Sequence, residues 1–168
     1  MPTTGVSDDV PATPLFEWAL TGAGWATATL RLGDAQPVEM VASYLHDSLR
    51  DVAGALIALD GGAKEVRVVL MDEPGEHHVV MRRASANELE IEVRWFEDWA
   101  SWNMHPLKDY ATIARGVVRW RTFRGCIVSC MQRLLAEVGA DGYRKRWVRH
   151  DFPTEELGRL EDPGSTDT

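Results

Sequence analysis

The chain has 168 residues, 45% hydrophobic and 26% charged, with a formal charge of −8. That is enough for one domain with a real core that needs neither disulfides nor metal. No stretch approaches the ~18 apolar residues of a membrane-spanning helix, and Met1 to Pro14 lacks the apolar core of a signal peptide, so a cytoplasmic protein is expected.

In chain order, residues 1–14 read as a flexible N-terminal segment. Leu15 to Leu20 then alternates, with Phe16, Trp18 and Leu20 on one face. Gly22-Ala23-Gly24 is a turn into a return strand, Trp25 to Leu32, whose Thr27 and Thr29 are placed to face solvent. Gly33-Asp34 makes a second turn, and Val38 to Ala42 a third strand, with Pro37 tolerated at its start. Ser43 is the expected N-cap of a helix from about Tyr44 to Leu59, where Leu45, Leu49, Val52, Leu56 and Ile57 form an apolar stripe. Gly61-Gly62 ends it.

A second β unit follows. Val66, Val68 and Leu70 share one face, Pro74-Gly75 suits the centre of a type II turn, and His77, Val79 and Met81 share a face of the next strand. Leu89, Ile91, Val93 and Trp95 alternate with Glu88, Glu90, Glu92 and Arg94, giving one buried and one acidic, wet face. Trp95 thus falls in the core. Beyond it, Phe96-Glu97-Asp98-Trp99-Ala100-Ser101-Trp102 leaves the alternation; as a helical turn it aligns Trp95, Trp99 and Trp102. Two readings stay open: a tryptophan lid closing the core, or an apolar anchor flanked by Glu97 and Asp98.

Thr112, Ile113, Val117 and Val118 favour a strand over about 110–118, followed by a helix over about 119–138 with Trp120, Phe123, Ile127, Met131 and Leu134 on one side. Gly139 is the expected stop, Asp141 to Val148 a short basic helix, and Glu155-Glu156 the opening of a last helical turn. Residues 162–168 read as a disordered tail, leaving 15–161 as a single α+β domain. Short links between successive strands imply antiparallel pairing. The expected architecture is an antiparallel sheet of about six to seven strands with two main helices on one face, plus short C-terminal helices.

No catalytic motif emerges. Thr21-Gly22-Ala23-Gly24-Trp25 enters a strand rather than a helix, so it is no phosphate cradle. His77 and His78 point to opposite faces of a strand and cannot easily share a metal. Asp72, Glu73 and Glu76 surround the Pro74-Gly75 turn and read as a solvated acidic turn. Cys126 and Cys130, four apart on a helix, suit neither a disulfide nor a zinc site. Neither a cofactor nor a metal is expected. Glu88, Glu90 and Glu92 pair naturally with Arg82 and Arg83. Charge is uneven: residues 1–114 hold 8 basic and 18 acidic groups, residues 115–150 hold 9 and 2. The acidic total disfavours nucleic acid.

Several local patterns occur together: Trp25-Ala26 after the Gly-Ala-Gly turn, Ser43-Tyr44-Leu45-x-Asp47-x-Leu49, Glu73-Pro74-Gly75-Glu76, and Gly142-Tyr143-x-x-x-Trp147-x-x-His150-x-Phe152-Pro153. The combination, over about residues 16–160, resembles a group of small uncharacterised bacterial proteins, and implies no catalytic or binding residue. In size and charge the chain is also similar to immunity proteins that neutralise secreted toxins. The expectation is a non-catalytic interaction module, immunity- or antitoxin-like, that binds a basic protein such as a toxin through Trp99, Trp102, Glu97 and Asp98. The alternatives are a small enzyme or ligand-binding protein with a pocket between sheet and helices, using His77 or His78, Glu76 and arginines, and a homo-oligomer packed through its tryptophans.

Overall fold

The computed structural model describes residues 13–33 and 35–162. The expected flexible segment (1–14) and tail (162–168) fall almost wholly outside the described residues, as does Asp34 of the second turn. Three strands, β1 (Phe16–Gly22), β2 (Trp25–Leu30) and β3 (Val38–Ser43), pair antiparallel in the order β1-β2-β3. Helix α1 (Ser48–Asp60) links them to β4 (Glu65–Met71), β5 (Glu76–Arg83), β6 (Glu88–Phe96) and β7 (Ala111–Arg119), a four-stranded antiparallel meander. Helices α2 (Trp120–Trp147) and α3 (Thr154–Glu161) close the chain.

The α+β class and the antiparallel pairing are as expected, but the strands form two sheets, not one. The break falls between β3 and β4, which lie against each other without a ladder. Their connection is a thirteen-residue helix rather than a hairpin, so no turn sets a register between them.

Both sheets and all three helices share one core. Phe16, Trp18, Ala28, Leu30 and Met40 meet Val68, Leu70, Met81, Ile91 and Val93 beneath Leu49, Leu56, Phe123, Ile127 and Leu157. Apolar alternation is what places them there, because successive strand side chains point to opposite faces. The cavity enclosed between sheets and helices measures about 10 Å³ and is wholly apolar, no more than about one water's worth. The enclosed core is therefore packed.

Three local expectations change, and one holds. Ser43 is not a helix cap: it pairs with Trp25 as the end of β3, and Asp47 occupies the cap position of a helix that starts at Ser48. Pro74 and Gly75 are not the central pair of the β4–β5 turn: the Asp72 N–H bonds the Gly75 carbonyl, so Glu73 and Pro74 stand at its centre. Gly139, at φ +69° and ψ 169°, ends the first helical stretch of α2 as expected, and a second stretch runs on through the basic segment to Trp147. Trp95 is only half-buried. Its ring leans on His77, with centroids 4.7 Å apart, while the next residue, Phe96, is buried on the opposite face.

The last correction has a structural cause. Trp95 keeps the face of Val93, opposite His77, but lies at the end of the strand, while residues 97–110 fold back over the face of the sheet that was expected to be wet and cover Phe96. Glu92 is buried there too, 5% exposed, with Arg94 and Thr112 bonded to its carboxylate.

Candidate functional site

The segment from Glu97 to Tyr110 is the longest connection between paired strands, and its inner anchor is a buried carboxylate. Glu76 opens β5 and is 0% exposed. Strand periodicity places Glu76 and His78 on one face and His77 on the other. Ser101, in a 3-10 turn at Ala100–Trp102, donates its backbone N–H to Glu76 Oε1 (2.6 Å) and its hydroxyl to Oε2 (2.7 Å). His78 Nε2 lies 2.9 Å from Oε1. Burial opposes ionisation of Glu76, but the hydrogen bonds from His78 and Ser101 outweigh it and hold the carboxyl below its ordinary value. It is therefore ionised at neutral pH, and His78 must carry its proton on Nε2.

His46, in the turn before α1, extends the chain of contacts: its Nε2 is 3.3 Å from Ser101 Oγ. The Ser101 proton is already committed to Glu76, so His46 is the donor. Burial lowers its pKa against the pull of Glu76, so it is neutral at neutral pH, with Nε2 protonated by this contact. In a hydrolase triad the imidazole bridges hydroxyl and carboxylate and removes the hydroxyl proton. Here the hydroxyl bridges imidazole and carboxylate, and the facing imidazole nitrogen already holds a proton. The arrangement is a clasp, not a nucleophile.

The clasp fixes which aromatic groups face outward. Trp99 is half-buried: its Nε1 donates to the Asp72 carbonyl (2.8 Å) and its backbone N–H to Asp98 Oδ1. Trp102 packs edge-on against Trp99 at 5.3 Å and over His46 at 5.9 Å, yet stays 44% exposed. Met104 and Leu107 follow it as exposed apolar residues. On the inner side, Phe96 lies against His78, His105 and Tyr110, and Arg94 stacks over the Tyr110 ring. Glu97 is exposed and Asp98 half-buried. The structure thus brings Trp99, Trp102, Glu97 and Asp98 into one short segment, while Trp95 parts from them to His77.

Glu76, Ser101 and His46 form the anchor, and sequence reasoning missed it. Twenty-five residues separate Glu76 from Ser101, and fifty-five separate Ser101 from His46. The one legible signal was Glu76 and His78 at strand spacing on a shared face. Glu76 is not part of a solvated acidic turn; Asp72 and Glu73 alone occupy the outer side.

Other candidates resolve into structural roles. Among the described residues no three His, Cys, Asp or Glu side chains could hold a metal ion. Burial pushes the Cys130 thiol up to about 11, which makes it a poor nucleophile. Arg82 bonds Glu65 and Glu90, and Arg115 bonds Glu90, as cross-strand charge pairing requires. A cleft of about 440 Å³ between α2 and the β1–β2 hairpin is lined by Trp18, Thr27, Thr29, Cys130, Arg133 and Glu137, and lies apart from the clasp. No described helix is long and apolar enough to cross a membrane. The chain matches no family model, and no curated protein or solved structure is similar enough to supply a relative.

Proposed function

We propose that this protein is a non-catalytic interaction module that docks a basic protein partner through the segment fixed by the Glu76 clasp. One observation carries the reading: a fully buried carboxylate is committed to holding residues 97–102 in place, and the side chain so presented is a tryptophan 44% exposed to solvent. An indole anchor held on a rigid support loses little entropy on binding, and such residues dominate interface energetics. Glu97 and Asp98 beside it, with the net charge of −8, favour a basic partner and steer its approach. An immunity-like role, neutralising a basic toxin, is the specific form this reading takes.

The two tryptophans separate cleanly. Trp99 holds the Asp72 carbonyl, so Trp99→Ala loosens the segment itself. Trp102→Ala leaves the Glu76 clasp and the Asp72 bond in place, losing its packing on Trp99 and His46 along with its exposed surface, and is the better probe. The test is titration against purified basic candidates, beginning with the product of the adjoining gene, by calorimetry at two salt concentrations. Trp102→Ala should weaken binding by roughly thirtyfold or more while the protein still unfolds in one cooperative transition. Binding by wild type should also weaken as salt rises. Equal affinity for wild type and Trp102→Ala would remove the anchor from the interface and sink the proposal.

A further inference from the structure

We infer that the protein forms a two-fold symmetric dimer by antiparallel pairing of β7 with β7 of a second copy, giving a continuous eight-stranded sheet. The starting observation is an open edge. In the order β4-β5-β6-β7, β4 lies against β3, whereas β7 has no strand neighbour beyond β6 among the described residues. Long unprotected edges are uncommon because their free N–H and C=O groups invite another strand. β7 is nine residues long and contains neither proline nor lysine; its one interruption is a bulge at Ile113, and Ala114 to Arg119 run regularly beyond it.

The apolar surface is concentrated along this strand. Ile113 is 47% exposed, Val117 53% and Tyr110, at its entrance, 37%. Ile113 and Val117 lie two residues either side of Arg115. With a dyad at Arg115, the bulged Ile113 of one copy comes beside Val117 of the other, twice over, as an apolar contact between β-branched side chains. The two arginines then meet at the axis, each already bonded to Glu90 at 3.2 Å.

Charge along the strand is self-complementary. Asp109 precedes β7 and Glu97 leaves the neighbouring end of β6, where Trp95 pairs with Ala111. Arg119 ends β7 and Arg121 follows it, both exposed. Antiparallel pairing about any dyad between Ala114 and Gly116 carries the Arg119–Arg121 end of one copy towards the Asp109 end of the other. A parallel arrangement would instead align like charges. The chemistry of this edge therefore fits a second copy of itself better than an unrelated strand.

The test is sedimentation equilibrium of the full chain from roughly 1 to 100 µM, with circular dichroism to verify folding. Wild type should move from monomer to twice the monomer mass. Val117→Lys, at an exposed position, should weaken the dimer by roughly tenfold or more, because symmetry places each change twice. Arg119→Glu and Asp109→Lys should each weaken it, and the double variant should restore it. Arg115→Cys should give a covalent dimer on mild oxidation, since residues facing each other at the axis stand about 4.5–5.5 Å apart. A wild-type monomer throughout, a dimer indifferent to Val117→Lys, or a double charge swap that fails to restore pairing would each overturn the inference. Trp102→Ala should leave the dimer intact, so this outcome is independent of the partner-binding reading.

Discussion

Replacing Glu76 tests whether the 97–110 segment is held by its buried anchor. The carboxylate accepts three hydrogen bonds, from Ser101 N–H, Ser101 hydroxyl and His78 Nε2. Glu76→Ala strands all three donors in a site that water does not reach, and removing one member of a buried charged cluster costs about 3–5 kcal/mol. For a chain of this length that corresponds to a fall of about 10 °C in Tm. Glu76→Gln keeps the shape and one acceptor oxygen, so it should lose only about 1–2 kcal/mol, the charge-assisted part. Urea denaturation followed by far-ultraviolet dichroism gives the global value, and tryptophan emission reports the segment through Trp99 and Trp102. Glu76→Ala should red-shift that emission before the cooperative transition, as the segment detaches ahead of the core. An alanine variant within about 1 kcal/mol of wild type, or one no worse than glutamine, would mean that the segment is held by its aromatic packing instead.

Two further outcomes follow from buried or strained groups elsewhere. Burial pushes His77 down to about 4, against an ordinary 6.5. The unfolded chain therefore binds the proton first, so stability should decline as pH falls from 6.5 towards 4, by about 3 kcal/mol at the lower end. His77→Phe, which preserves the packing on Trp95, should flatten that limb of a pH series of denaturation midpoints; the Glu76 contribution, from a lowered carboxyl, is lost only at lower pH still. Val148 holds φ +76° and ψ −53°, a strained turn closed by the Arg149 N–H on the Trp147 carbonyl, with a β-branched side chain 49% exposed. Val148→Gly should relieve it and raise stability by about 1 kcal/mol in calorimetry; a lower Tm would show that the strain is not there.

The parts of this molecule that the sequence announces are those decided locally. Leu89, Ile91 and Val93 had to share a buried face because strand periodicity is two, and Glu90 had to find Arg82 and Arg115 across the same sheet. Thr112, Val117 and Val118 marked β7 correctly against a helical alternative. What stayed hidden depends on return of the chain over a surface already built. Trp95 continues the alternation on the face of Val93, but at the strand end it is only half-buried, whereas the folded-back loop buries Phe96 on the other face. The anchor was less legible still, because Glu76 at the start of β5 meets Ser101 and His46 from two separate connections, and no periodicity encodes that meeting. The split between β3 and β4 likewise depends on how α1 packs rather than on either strand.

The arrangement of the first sheet has a consequence during synthesis. Phe16 packs edge-on against Phe123, Trp18 against Trp147, and the Gly24 N–H bonds the Arg146 carbonyl at 2.7 Å. The strands made first are covered by the helix made nearly last. Some 130 residues separate Trp18 from Trp147, which is roughly 6–26 s of elongation at ordinary ribosome speed. Throughout that interval the β1–β3 sheet has an apolar face and no lid. Its fate in the cell is thus decided while it waits, and a holdase that shields the nascent sheet should raise the yield of native protein more than any change to the finished core.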